Sequence, residues 1–386
     1  MTAYRQSMIY ALESTYGAGA GSNSFISPPP NTFFTSTHTR STSVYYAEGT
    51  KNWEVVTYGQ MQGSWSWSFI LDYEYPEPLG LFFDTITNTS VSSVKKIEFS
   101  KSNTKRVPSF CVQRKILNTV AGGPSGKDET VLLKGCVARD ITFNRSGAGA
   151  QIVVSMSGFY ADEEMTLSTL SATDYASYAG DPVEYACLMI GSEDVAYTEQ
   201  ISISISNNAS PIYSVCSPFA QNYYEGPTSY RFGTTAYSND PERYKRRLYS
   251  GGKDKLHLKP MGKDLAPVPE MSIKCYTYSD HNDPSIDAIV TGKDTSIDTS
   301  SKSITFTMTD VIIKSLTWEK GDGQKLMDTI SSADVKKIKI VLINQKKNES
   351  LNLSTGGWHL KTRGAETRGD IGNGEGLQVE GDDRSE

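Results

Sequence analysis

At 386 residues the chain is long enough for two domains of ordinary size. Apolar residues make up 37% and charged residues only 21%, with 22 Tyr and many short alternating runs, a composition that points to an all-β, turn-rich protein. The net charge of −6, from 38 basic and 44 acidic residues, supplies no overall electrostatic footprint for tight nucleic-acid binding. Apolar runs such as Val341-Leu342-Ile343 are far too short to span a bilayer.

The first residues, MTAYRQSMIYALESTYG, lack a basic segment followed by an apolar core, so no signal peptide is expected. Synthesis in a cytoplasm and a soluble product follow as expectations, with no membrane partner. Residues 17–30 (GAGAGSNSFISPPP) are small, polar and proline-rich and read as an extended arm or loop. Strand regions follow at Ser43–Tyr46 and Trp53–Thr57. In the next run Trp65, Trp67, Phe69 and Leu71 alternate with Ser64, Ser66 and Ser68, which predicts a strand with an aromatic buried side. Residues 76–83 (PEPLGLFF) suit one helical turn or a tight loop, and Lys96–Phe99 and Ser109–Gln113 read as further strands.

Val131–Tyr160 reads as a long antiparallel hairpin. Val137, Ile141 and Phe143 are expected to share a face on its first arm, and Ile152, Val154 and Met156 on its second, with Ser155 and Ser157 opposite. Ser146-Gly147-Ala148-Gly149 supplies the turn chemistry. Residues 162–191 are mixed, with room for a short helix and a strand. Ile201–Ser206 alternates strictly, Asn207-Asn208 turns, and Tyr230–Tyr237 alternates again. Asp240 at N-cap, Pro241 at N1 and Gly251-Gly252 beyond the end predict a helix to Tyr249. Ser303–Thr309 is another alternating strand. Residues 324–337 (QKLMDTISSADVKK), with Leu326, Met327 and Ile330 at helical spacing and Asp322 as cap, predict an amphipathic helix. Ile338, Ile340 and Leu342 then point inward from a last strand, with Lys337 and Lys339 outward. From Lys361 the chain is glycine-rich and charged, with four basic and seven acidic residues, and is expected to be disordered.

An internal echo organises these elements. Residues 137–145 (VARDITFNR) match 312–320 (IIKSLTWEK) in apolar, basic and aromatic order, 175 residues apart. Gly59 and Gly226, each leading a strand, are 167 apart; Phe82 and Leu248 are 166 apart; Ser109-Phe110 and Ser272-Ile273 are 163 apart. The run of similar shifts implies two copies of one β domain, expected at 1–198 and 199–360, followed by the 361–386 tail.

No chemistry-bearing constellation stands out. The four histidines (His38, His257, His281, His359) have no metal-ligand spacing. Residues 121–127 (AGGPSGK) imitate a phosphate loop, but Ala121 replaces its first glycine and Asp128 its Ser/Thr. Asp280, Asn282 and Asp283 flank His281 in a segment better read as a solvated turn than as a cation loop. Five Asn-x-Ser/Thr matches (Asn88, Asn144, Asn208, Asn348, Asn352) are attributed to chance in so Ser/Thr-rich a chain. Cys111, Cys136, Cys187, Cys216 and Cys275, an odd and scattered set, read as buried free thiols. Arg243, Lys245, Arg246 and Arg247 admit two readings, a docking surface for an acidic partner or neighbouring subunit, and a solvated helix face. No catalytic, cofactor or metal residue is assigned, and no enzyme activity is expected.

Three stretches resemble the major tail tube proteins of tailed bacteriophages and archaeal viruses: Ala11–Ala18 (ALESTYGA), Tyr58-Gly59 through Gly63-Ser64 to Phe69, and Lys134-Gly135-Cys136-Val137. The resemblance covers roughly the first 200 residues, more weakly the second copy. It implies β-sandwich or barrel domains with short flanking helices, joined edge to edge into rings that stack, through residues 17–30 or 122–127, into a tube for viral DNA. It implies a virion (tail) protein made in the host cytoplasm. Its partners would be other copies, other tail proteins, and DNA passing without specific binding. A tandem duplication would make the ring a trimer with pseudo-sixfold symmetry; an unrelated second domain would make it a hexamer. A competing class is a β-sandwich adhesin or carbohydrate-binding protein, with Trp65 and Trp67 as an exposed sugar platform.

Overall fold

Alternating side chains build this molecule strand by strand. A computed structural model of the chain describes residues 5–20, 25–29, 31–46, 48, 53–71, 76–91, 94–102, 105–117, 129–147, 150–166, 185–190, 193–237, 268–277, 302–319 and 327–345. The protein is all-β over these residues: the one helical element among them is a 3-10 turn, Glu77–Leu81, in the segment predicted as a turn. By its contacts the chain divides into Met1–Ser354 and Thr355–Glu386; the latter, with the expected tail, lies outside the described residues.

The first half supplies β1 (Arg5–Leu12), β2 (Phe33–Tyr46), β3 (Trp53–Ile70), β4 (Thr85–Val91), β5 (Val94–Ser100), β6 (Phe110–Leu117), β7 (Glu129–Ser146), β8 (Val153–Tyr160) and β9 (Asp162–Thr166). The second supplies β10 (Tyr185–Ile190), β11 (Glu193–Ser206), β12 (Ser210–Tyr213), β13 (Ala220–Tyr224), β14 (Ser229–Tyr237), β15 (Val268–Thr277), β16 (Lys302–Glu319), β17 (Met327–Val335) and β18 (Lys337–Gln345). Sixteen of them form one hydrogen-bonded sheet, and β12–β13 is a separate hairpin.

The predicted aromatic face of β3 is the centre of the core. Trp65, Trp67, Phe69 and Leu71 are all buried, with Tyr10 5.1 Å from Trp67 and Phe110 edge-on to Trp65 at 5.3 Å, between ring centroids. Burying one such Trp contributes about 4–6 kcal/mol gross by area. The Trp65 indole N–H donates to the Phe159 carbonyl at 3.0 Å, so its one polar atom is satisfied. The core runs on into the second half without a break, where Phe306 meets Phe143 edge-on at 5.2 Å. Ile338, Ile340 and Leu342 of β18 point into it as expected.

Six strand pairings occur twice. β1–β6, β6–β7, β7–β8, β7–β9, β3–β8 and β2–β3 are matched by β10–β15, β15–β16, β16–β17, β16–β18, β14–β17 and β11–β14. The two sets agree residue by residue. Gly135 and Asp310, 175 apart, both have positive φ, +63° and +53°; glycine and aspartate are residue types that tolerate this region. Four positions later, Arg139 and Lys314 are each the extra residue of a β-bulge. At the corner between the last two strands of each set, Ala161 N–H donates to the Lys134 carbonyl at 2.9 Å, and Lys336 N–H to that of Thr309 at 3.1 Å, again 175 apart. Trp65 and Trp67 of β3 correspond through their partners to Phe232 and Thr234 of β14, the 167 shift read from Gly59 and Gly226. For β6 and β15 the shift differs from the sequence reading: Phe110 and Val268, 158 apart, face the equivalent residues Cys136 and Val311. The second set begins at β10, and the boundary expected after residue 198 falls inside β11.

Two expectations are corrected by bulges. Val137 does not share a face with Ile141 and Phe143, because the extra residue Arg139 reverses the alternation between them. Cys136 and Ala138 face the main core instead, while Val137 joins Phe159, Ala209 and Tyr223 on the other side of the sheet. Residues 327–335 are strand β17, not helix. Pairing on both edges, with β14 and with β16, overrides the helical spacing of Met327 and Ile330; Thr234 and Phe232 of β14 face Ile330 and Ala333, two steps against three, so β17 carries a bulge between these two buried residues. Residues 324–326, and the helix predicted for 240–249, lie outside the described residues.

Candidate assembly interface

The residues opposite the aromatic core form a hydroxyl-lined face. Across β3, β8, β7 and β11 the register places Ser68, Ser155, Thr142 and Ser204 in one row, and Ser66, Ser157, Asp140 and Ser206 in the next. β2 adds Thr35 beside Ser66 and Thr37 beside Ser64, whose hydroxyls are 2.8 Å apart. All these side chains are exposed or half-buried. On these four strands Asp140 is the one charge in the two rows, and it is held by neighbours: Arg139 Nε donates to it at 2.7 Å, Ser157 Oγ at 3.4 Å, and Ser206 Oγ from β11. Arg231 of β14 stands at the end of the first row, opposite Ser204.

One end of this face is covered by β12–β13, which has no counterpart between β2 and β3 among the described residues. Ala209 and Tyr223 pack on Val137 and Phe159 there. Tyr213 OH donates to the Met61 carbonyl at 2.9 Å, Met61 N–H to that of Pro218 at 2.8 Å, and Tyr223 OH to that of Val107 at 2.6 Å. Nearby, Lys101 is buried between Asp84 (3.1 Å) and Glu225 (3.5 Å), a charge cluster joining the two halves of the chain.

The halves also meet through strand edges. β11 of the second set lies against β7 of the first, from Gln200↔Ser146 to Ser206↔Asp140, and β18 against β5. The β11–β7 junction is well tied. Arg145 is buried and donates to the Thr198 and Glu199 carbonyls at 2.9 and 3.2 Å. Asn207 donates through its backbone to the Arg139 carbonyl (2.8 Å) and through Nδ2 to that of Ala138 (3.2 Å). The equivalent edges elsewhere are open: among the described residues β2 pairs β3 alone, and residues 312–319 of β16 pair β17 alone.

The β2–β3 hairpin also runs well past its neighbour, since β8 covers only Gly63–Ile70 of β3. Its free end exposes Val44, Tyr45, Tyr46, Val55 and Tyr58, with the Arg40 guanidinium 4.7 Å from the Tyr58 ring centre. Single-strand patterning missed this projection, because the two arms read as short separate strands. The described part of the segment expected as a stacking arm is docked instead. Phe25 and Pro29 are buried, Ile26 bridges Tyr10, and the Glu13 carboxylate accepts N–H groups of Gly17, Gly19 and Gly135 at 2.9–3.1 Å.

Residues 122–127, the loop at Asp280–Asp283, the cluster Arg243–Arg247 and His257, His281 and His359 lie outside the described residues. His38 lies on β2, its Nδ1 3.2 Å from Glu163. Trp65 and Trp67 are 3% and 0% exposed and so form no sugar platform. Four cysteines are buried as expected, with Cys111 and Cys275 pushed up to about 12 by burial; Cys216 is exposed. Among the described residues no group of three His, Cys, Asp or Glu is placed to hold a metal, and no helix is long and apolar enough to cross a membrane. Compared with known proteins, the chain matches no family model, and no curated protein matches it.

Proposed function

We propose that this chain is a tandem-duplicated structural protein that assembles into closed rings, stacked as the tube of a viral tail. The observation that carries the reading is the hydroxyl-lined sheet face, which crosses strands of both sets. A wall of Ser and Thr with few charges suits a conduit for DNA, because strong phosphate binding comes from Lys and Arg, and a lumen that bound DNA tightly would stall its passage. The doubled set of pairings supports a ring of three chains with pseudo-sixfold symmetry. Long alternating strands with open edges favour unwanted association unless paired, and closure of a ring pairs them. The protein acts as scaffold and wall, with no catalytic role, among other tail proteins of the virion. The projecting end of the β2–β3 hairpin, rather than residues 17–30, is the segment suited to contact the next ring.

Negative-stain microscopy of the purified chain tests this reading. Rings or tubes with a central hole and three-chain repeats are expected. A chain that stays monomeric across assembly conditions, with no hole-bearing particle, overturns it.

A further inference from the structure

The junction inside the chain specifies a second junction between chains. β2 corresponds to β11 with a shift of 167: Thr35–Thr39 of β2 face Ser66–Gln62 of β3 as Ser202–Ser206 of β11 face Gly233–Ser229 of β14. The end of β7 corresponds to the end of β16 with a shift of 175, fixed by the kinks at Gly135 and Asp310 and the bulges at Arg139 and Lys314. β11 is paired along β7, whereas their counterparts do not pair with each other: β2 ends the sheet order, and residues 312–319 of β16 pair β17 alone among the described residues. Transferring the internal register gives the missing contact. We propose that the outer edge of β2 in one chain pairs antiparallel with β16 of a second copy, from Thr35 opposite Glu319 to Thr39 opposite Ser315.

The physical grounds are geometric and chemical. Each edge carries backbone donors and acceptors that the internal junction shows to be complementary, and strand addition satisfies them on both sides. Thr35, Thr37, His38 and Thr39 are exposed, as an unoccupied edge requires. Ile203 and Ile205 of β11 correspond to Ser36 and His38 of β2, so the free edge is more polar than the built one. Polar residues at these positions blunt non-specific association of the isolated chain while leaving the backbone free to pair. The contact is heterologous, one edge of each chain meeting the other edge of the next, so it continues until a ring closes. It names the partner surface for the ring reading above, yet rests on the internal register, and the two can fail separately.

Paired cysteines test the register. In a Cys216→Ser background, which removes the exposed thiol, Thr37→Cys with Thr317→Cys places the two thiols opposite each other, while Thr37→Cys with Ser315→Cys is two residues out of register. Oxidised with diamide, the first full-length variant should give interchain disulfides about tenfold more readily than the second, because out-of-register Cα atoms exceed disulfide reach. The non-reducing gel ladder should end at a covalent trimer. A second in-register pair, Thr35→Cys with Glu319→Cys, repeats the comparison should the first variant fail to fold. Equal cross-linking in and out of register overturns the junction, as do rings seen by microscopy whose in-register cysteines remain unlinked. Register-specific linkage that yields open ladders without rings supports the junction and overturns the ring.

Discussion

Individual residues divide sharply into those facing the core and those facing the hydroxyl wall. Ile141 is fully buried, whereas Ser155, one strand away, is half-buried on the opposite face. Ile141→Asp places a carboxylate in an apolar core without a partner, at a cost of several kcal/mol, of the order of the whole stability of a domain. Circular dichroism and thermal melting should show it unfolded, while Ser155→Leu should retain the native spectrum and melt within a few degrees of the parent. A titrating contact adds a smaller effect. Lys96 at 2.8 Å, with Lys339 of β18 at 3.7 Å, holds the Glu98 carboxyl below its ordinary range. A carboxyl lowered in the folded state contributes stability above its unfolded pKa and loses it as pH falls through the folded value. Glu98→Gln should therefore lose about 0.5 kcal/mol near neutral pH and nothing at strongly acid pH, the scale of a partly exposed pair, read from denaturant melts across that range.

Elements owe their shape to irregularities more than to alternation. One long strand, β7, serves β6 and β9 with its first half and β8 and β11 with its second; the change falls at the positive-φ Gly135, and the second half carries the bulge at Arg139. The bulge brings backbone against backbone at Gly158: a Cβ there would lie 1.9 Å from the Val137 carbonyl oxygen and 2.8 Å from the Trp65 ring. Neither neighbour can yield without reopening the hairpin, so Gly158→Ala should destabilise by at least about 1–3 kcal/mol, the cost of overpacking. A melting temperature unchanged by this substitution would show that the bulge is not held as described.

Among the described residues the two matching sets of strands share one sheet and one core. β5 of the first half lies on β18, β7 on β11, and Lys101 is buried between Asp84 and Glu225, so the halves are expected to unfold together. The conduit reading makes a charge prediction at this scale. Ser155→Lys with Ser204→Lys adds two cations per chain to the hydroxyl wall. Assembled particles should then retain double-stranded DNA in a salt-dependent manner that the parent particles do not show, measured by filter retention at rising ionic strength. Retention by the parent alone would argue against a sliding surface.

Sequence by itself determined the all-β class, the buried aromatic side of β3, the hairpin around Gly147, and the shifts of 167 and 175 that link the two halves. These are visible because period-two burial and turn chemistry are local properties written in consecutive residues. Tertiary structure alone decided the facing of Val137 and the identity of β17. A bulge changes the parity of a strand, and its presence depends on the partner strand's spacing rather than on the residues that form it. It also decided where the halves meet and, among the described residues, which edges stay open. Backbone donors and acceptors are the same at every residue, so only the arrangement of strands in space selects the edge that remains to be paired.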